Sequence, residues 1–125
     1  YTFHPITYKE FRQVEQDFSG KRIPGIARQT VAAGLDLYLL MLQLHITYQY
    51  VDPIWLNDAN TAKANAYQLV GSRLESRIIK RLSIFAGADN LLNQRYSLGN
   101  DINAIGGRYF NAAAGRNYFA GIRLQ

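Results

Sequence analysis

Few residues of this 125-residue chain have types that could carry chemistry. His4 and His45 are its two histidines and there is no cysteine. Neither histidine has a companion at metal-ligand spacing, so thiolate and imidazole metal sites and disulfide frameworks are not expected. A lone His45 between Leu44 and Ile46 reads as a structural residue on the polar side of its strand. Asp101 with Asp89 or Glu75 could serve as an acid and base, but these residues fall on different elements without an activating neighbour, and solvated carboxylates are expected. No catalytic residue and no resident metal or cofactor is therefore assigned. Anion recognition remains. Lys21, Arg22, Lys63, Arg95, Arg108 and Arg116 lie in or beside long irregular segments, where they outnumber Asp17, Asp58 and Asp101. Guanidinium forks match carboxylate and phenolate oxygens. The net charge of +5 does not point to nucleic acid, because no basic run exceeds Lys80-Arg81 and no phosphate-tracking stripe forms.

The elements that must position these groups read as strands. Nine Tyr and ten Gly, with short apolar residues between them, suit pleated structure and close backbone approach. Leu42, Leu44, Ile46, Tyr48 and Tyr50 alternate strictly with polar residues, whereas Val31, Ala33, Leu35, Leu37 and Leu39 carry the opposite phase. A single strand cannot change faces in this way, so two strands joined by a reversal near Leu39 to Met41 are expected, although no Gly, Asn, Asp or Pro marks that turn. Val70, Ser72, Leu74, Ser76 and Ile78 oppose Gly71, Arg73, Glu75 and Arg77. Leu82, Ile84, Ala86 and Ala88 oppose Ser83, Phe85, Gly87 and Asp89, and Tyr118, Ala120, Ile122 and Leu124 oppose Asn117, Phe119, Gly121 and Arg123.

Alternation alone fits either a soluble sandwich or a transmembrane barrel. Connection lengths separate them. The reversals near 40 and near Ile79 to Arg81 are short, while Arg12 to Ala27, Asp52 to Ala66 and Asn93 to Arg116 are long, the asymmetry of outer-membrane barrels with their long loops outside. Tyr48, Tyr50, Trp55, Tyr67, Tyr96, Tyr109 and Tyr118 fall near the long-loop ends, as an interfacial aromatic girdle does. At roughly 9 to 11 residues per spanning strand the chain supplies about six strands. No signal peptide is visible, and the expectation is that an earlier part lies elsewhere.

Several motifs carry a family resemblance. Phe85-Ala-Gly-Ala-Asp-Asn-Leu-Leu-Asn-Gln-Arg-Tyr96, Gly106-Gly-Arg-Tyr-Phe-Asn111 and Gly115-Arg-Asn-Tyr-Phe-Ala-Gly-Ile-Arg-Leu124 resemble the carboxyl-terminal end of TonB-dependent outer-membrane receptors. Gly20-Lys-Arg-Ile-Pro-Gly-Ile-Ala-Arg-Gln-Thr30, Leu56-Asn-Asp-Ala-Asn-Thr-Ala-Lys63 and Tyr67-Gln-Leu-Val70 are similar to earlier motifs of the same family, in the same order. Ser97-Leu-Gly-Asn-Asp-Ile-Asn103 resembles the last outside loop of its siderophore branch. Leu92 stands where the family usually has Phe, Ala27 where Pro is frequent and Gln29 where His is frequent. Family members end in an aromatic residue, and a residue after Gln125 would fall in phase with Ile122 and Leu124.

The resemblance implies an all-β fold, an antiparallel transmembrane β-barrel segment of about six strands from a roughly 22-stranded plugged barrel. Residues 1–125 would be its carboxyl-terminal portion, without the plug domain. The implied function is TonB-dependent import of a scarce ligand across the outer membrane of a Gram-negative bacterium, most readily a ferric siderophore or ferric citrate. Its partners would be the TonB complex through the plug, outer-membrane lipid and lipopolysaccharide, and the ferric chelate as cargo, with no nucleic acid. The carboxyl terminus would face the periplasm. For an anionic ferric chelate, Arg108 with Tyr109 is the preferred contact pair and Trp55 the third candidate. The same arginines suit lipopolysaccharide phosphates or loop solubility, since sequence does not aim a loop. Arg73, Glu75, Arg77 and Arg123 are expected to pair with the plug or with one another. A passive porin or structural barrel, and a soluble lipocalin-like binding protein, stay as alternatives.

Overall fold

The structure, a computed structural model, describes residues 1–124. Gln125, and with it the expectation of a following aromatic residue, lies outside the described residues. The strands among the described residues are β1 (Thr2–Phe3), β2 (Arg12–Gln13), β3 (Gln16–Asp17), β4 (Gln29–Leu39), β5 (Leu42–Val51), β6 (Ile54–Trp55), β7 (Lys63–Ala64), β8 (Tyr67–Ile79), β9 (Leu82–Asp89), β10 (Ser97–Asn100), β11 (Phe110–Ala112) and β12 (Asn117–Leu124). One 3-10 turn, Ile105–Gly107, precedes β11. A six-stranded sheet runs in the order β1-β4-β5-β8-β9-β12, and β2–β3, β6–β7 and β10–β11 each form a two-stranded sheet.

Two compact units result. One, the wall, contains Val31–Tyr50, Gln68–Gln94 and the chain from Ala114 on; the other, the loop unit, contains Tyr1–Thr30, Val51–Tyr67 and Arg95–Ala113.

In the wall, the reversal expected near Leu39 to Met41 is a two-residue connection between β4 and β5. Leu40 adopts a φ of 51° there, the left-handed conformation that Asn or Gly supplies in most such turns. Lys80 and Arg81 join β8 to β9 just as tightly, with the pairing shifted by a bulge between Arg77 and Ile79. Across β8, β9 and β12 the antiparallel register aligns residues in rows. Leu74, Ala86 and Ala120 form one row and Ser76, Ile84 and Ile122 another; Glu75, Phe85 and Gly121 lie between them, and Arg73, Gly87 and Phe119 lie beyond the Leu74 row. Because side chains alternate faces, apolar rows share one side and charged rows the other. The apolar side is open: Leu37 is 42% exposed, Ile84 45% and Ile122 70%.

The charged side is held together by its own contacts. Glu75 accepts from Arg123 at 2.7 Å and from Arg73 at 3.4 Å, and Arg73 also lies 4.3 Å from the Phe85 ring centroid. The expected mutual pairing is therefore present for three of the four residues. His45 Nδ1 sits 2.6 Å from Asp36 Oδ1, a partner that strand alternation alone does not name. Phe119 lies over Gly87 and Phe85 over Gly121, in direct cross-strand pairs. A Cβ on Gly87 would collide with the Phe119 ring and come within 2.5 Å of the Ser72 carbonyl oxygen. Glycine is required there by close approach.

Buried apolar side chains belong almost wholly to the loop unit, where Phe18, Ala27, Val51, Leu56 and Ala64 are buried and Leu56 is 0% exposed. In the wall, Ala88 is the sole buried apolar residue among the described residues. The connections thus carry most of the buried apolar residues and the large sheet contributes only Val51 and Ala88 among the described residues, the reverse of a soluble sandwich.

Candidate ligand-binding cleft

Short polar side chains lock the loop unit. In the β6–β7 connection, Asn57 Oδ1 accepts from the Thr61 and Ala62 amides at 2.9 and 3.3 Å. Asn60 takes a φ of 54°, and its side chain accepts from Arg22 N at 2.8 Å and donates to Arg22 O at 2.9 Å, copying the two bonds of a strand pair. Asp58 accepts from the Tyr8 hydroxyl at 2.6 Å and from Asn103 Nδ2 at 2.7 Å, while its amide donates to Asn103 Oδ1 at 3.0 Å. The Asn103 amide donates to Leu56 O at 2.9 Å. Segments around residues 8 and 103 are thereby tied to Asp58, that around 22 to Asn60, and that around 103 also to the backbone of buried Leu56. The hydrogen bond to Asp58, then partial burial and the carboxylate's charge, push the Tyr8 phenol up to about 12.

Not every loop cation is directed outward. Lys21 Nζ donates to Ala59 O at 2.8 Å and lies 5.5 Å from the Phe18 ring centroid. Asp17 pairs with Arg12 across β2–β3, and hydrogen bonding from Ser19 holds its carboxyl below the usual range. Lys63 stands over the Trp55 ring at 5.4 Å.

Lys63 and Arg95 border a cleft of about 270 Å³. Ile54, Ala64 and Asn65 line it from the β6–β7 hairpin and its exit, Tyr67 from the start of β8, Tyr96, Ser97 and Asn100 from the β10 side, and Phe110 and Ala112 from β11. The β10–β11 pairing sets Asn100 opposite Phe110 and Ser97 opposite Ala112, with a shift between Ser97 and Gly99. Ser97 Oγ fills that irregularity, donating to Gly99 O at 2.6 Å and accepting from Asn111 N at 2.8 Å. The rings of Tyr67 and Tyr96 meet at 4.9 Å between centroids and 31° between planes. Asn100 Oδ1 is sealed from solvent with no hydrogen-bond partner, unusual for a buried amide. The lining therefore combines aromatic side chains with two cations.

The residues singled out from the sequence lie in the same unit. Arg108 follows the 3-10 turn, exposed and without a hydrogen bond or ion pair among the described residues. Tyr109 is half-buried, its backbone bonded to Asp101 N at 3.1 Å and Gly107 O at 3.0 Å. Trp55 is half-buried on β6, beneath Lys63. None of the three lines the cleft, and Trp55 relates to it through Lys63. Trp55, Tyr67, Tyr96 and Tyr109 lie in the loop unit, Tyr67 as the first residue of β8, whereas Tyr48, Tyr50 and Tyr118 stand on strands of the wall. Sequence reasoning named Lys63, Arg95, Tyr67 and Tyr96 by type but missed Asn100 and Phe110. No local pattern marks a residue as half of a cleft.

No protein-family model matches the chain. Its fold matches the siderophore receptor PiuA from Acinetobacter baumannii with a TM-score of 0.77 over 92% of this chain at 16% identity. The ferric yersiniabactin uptake receptor FyuA from Yersinia pestis aligns over 89% with a TM-score of 0.68 at 19% identity. A G324V mutant of the ferric enterobactin receptor PfeA from Pseudomonas aeruginosa aligns over 78% with a TM-score of 0.59 at 21% identity. The chain spans 17%, 18% and 16% of these three structures respectively. The architecture is that of an antiparallel β-barrel segment, the fold class expected from the sequence.

Proposed function

We propose that the chain is the carboxyl-terminal part of the barrel of a TonB-dependent outer-membrane receptor that imports a ferric chelate, a siderophore or ferric citrate. The observation that carries this reading is the wall itself. An open apolar face of Leu37, Leu74, Ile84 and Ile122 suits lipid, and the opposite face of Arg73, Glu75 and Arg123 suits a polar lumen. Such a sheet would be a liability in water. The motif resemblance and the fold of the three solved receptors support the same assignment.

In this reading the two-residue turns after β4 and β8 face the periplasm and the long connections face outside, so β12 runs inward and the carboxyl terminus points to the periplasm. Outside loops capture the chelate through Arg108, Tyr109 and Trp55, the TonB complex acts through a plug domain supplied by another part of the protein, and lipid and lipopolysaccharide surround the wall. Catalysis is not required, since the work done on the cargo is movement. A soluble lipocalin-like protein is disfavoured by the coreless wall.

The test is uptake of iron-labelled ferric citrate and ferric siderophores by cells carrying the full-length gene, with and without TonB. Uptake of one chelate that disappears without TonB is expected, and an Arg108→Ala variant should lower it by roughly ten-fold or more, since hydrogen bonds to charged groups contribute about 1.5–3 kcal/mol. Uptake indifferent to TonB would favour a passive porin.

A further inference from the structure

We propose that the wall holds one anionic phospholipid of the inner leaflet, with its phosphate on Lys80 and Arg81 of the β8–β9 turn and an acyl chain in the groove lined by Leu74, Ile84 and Ile122. This rests on the orientation in the import reading above, with the two-residue turns toward the periplasm, and gives the surrounding lipid a specific site.

Charge identifies the headgroup. Lys80 and Arg81 are exposed and have no hydrogen bond or ion pair among the described residues. The acids of the wall are placed elsewhere: Asp36 faces His45, Glu75 takes Arg73 and Arg123 on the polar side, and Asp89 closes the far end of β9. Two adjacent cations at a strand reversal are thus left for an anion, and a phosphodiester supplies one. The surface beside them is apolar. Arg77 N donates to Met41 O at 3.0 Å, which joins the end of β8 to the β4–β5 turn, where Leu39, Leu40 and Met41 are 67%, 110% and 66% exposed. A leucine held at a φ of 51° with no cover is costly in water, and a basic pair next to an apolar turn suits the boundary between headgroups and acyl chains. The groove continues from that boundary. It measures about 500 Å³ and is lined by Leu74, Ile84, Ala86, Ala120 and Ile122, residues of two neighbouring rows on the apolar face. At about 3.4 Å per residue, Ile84 and Ala86 stand about 10 and about 17 Å from Arg81 along β9. With the roughly 35–45° tilt of barrel strands, both fall within the ~15 Å that one leaflet gives to a hydrocarbon core of about 30 Å. The volume lies in the roughly 300–1,000 Å³ range of sites for single small molecules. It takes one chain of a phospholipid and not the several chains of a lipopolysaccharide.

The experiment counts lipids retained by the purified full-length receptor in detergent, by native mass spectrometry, during titration with phosphatidylglycerol, phosphatidylethanolamine of the same acyl chains, and lipid A. The double variant Lys80→Gln with Arg81→Gln removes the headgroup contacts, Ala120→Phe fills the groove, and Lys9→Gln serves as a remote loss of charge. Heat stability in detergent reports folding; the double variant, at two exposed positions without bonds, keeps the test decisive if Ala120→Phe weakens the sheet. The parent is expected to bind one phosphatidylglycerol roughly ten-fold or more tightly than phosphatidylethanolamine, the preference that two cations near an anionic headgroup supply. The double variant should lose that preference, Ala120→Phe should weaken both phospholipids several-fold, and Lys9→Gln should change neither. Equal binding of the two phospholipids by the parent, a preference that survives in the double variant, or tighter binding of lipid A would overturn the site while TonB-dependent uptake by the same receptor keeps the import reading. Absence of that uptake in the parent would overturn the import reading, and the lipid titration would still decide the site.

Discussion

Tyr8 donates to Asp58 across fifty positions of sequence, and that carboxylate also receives Asn103, so a single acidic side chain joins three parts of the loop unit. The phenol's affinity for its proton is raised to about 12 from the ordinary 10.0. The folded chain therefore binds this proton more tightly than the unfolded chain does. The stabilisation is fully present below pH 10 and is lost as pH rises through about 12. Tyr8→Phe should lower stability by about 1–2 kcal/mol at neutral pH. The gap should close in the alkaline window, read as the unfolding temperature of the detergent-solubilised receptor between pH 8 and pH 12. Asparagine plays a related part throughout. Asn60, Asn90, Asn93 and Asn103 all take positive φ, and their amides bond to nearby backbone or to Asp58. Asparagine tolerates that conformation better than most residues, and here the bonds of Asn60 to Arg22, Asn93 to Arg116 and Asn103 to Asp58 reach segments distant in sequence, whereas that of Asn90 to Gln94 is local.

Between β9 and β12 the chain leaves and re-enters the large sheet around Asn90. Its buried amide donates to Gln94 O at 2.9 Å and Ala114 O at 3.3 Å and accepts from Gln94 N at 2.9 Å, while Asn93 Oδ1 accepts from Arg116 N at 3.1 Å. The two side chains thus tie the exit from β9 to the approach to β12. The Asp-Asn-Leu-Leu-Asn run that carried much of the family resemblance is here a strand-closing device. Asn90→Ala should cost about 2–4 kcal/mol, from lost hydrogen bonds and from an alanine held at positive φ. Asn90→Gly should cost clearly less, because it keeps the backbone and loses only the bonds. Thermal unfolding in detergent separates them, and equal losses would mean that backbone conformation contributes nothing.

The buried apolar residues fall mostly in the connections, and the largest sheet leaves its apolar face open, with β1 and β12 as edges. Residues 1–125 expressed alone should therefore precipitate without detergent or pair edge to edge, whereas a lipocalin-like protein would remain monomeric in buffer. Ultracentrifugation with and without detergent reads the difference.

Period-two alternation from Val31 to Leu39 and from Leu42 to Tyr50, together with the phase flip between them, was sufficient to predict two strands and a reversal without a turn residue, because a strand that must bury or expose one face admits one register. The same local rule assigned Leu74, Ile84 and Ile122 to one face and Arg73, Glu75 and Arg123 to the other. The sequence by itself thus determined the wall. Tertiary structure alone decided which polar residues meet. Asp58 finds Tyr8 and Asn103, Lys21 turns to Ala59, and Lys63, Arg95, Tyr96 and Asn100 surround one cleft. Those contacts join loop residues tens of positions apart, where no periodicity constrains direction, so only the closed loops decide which cations remain available to a ligand.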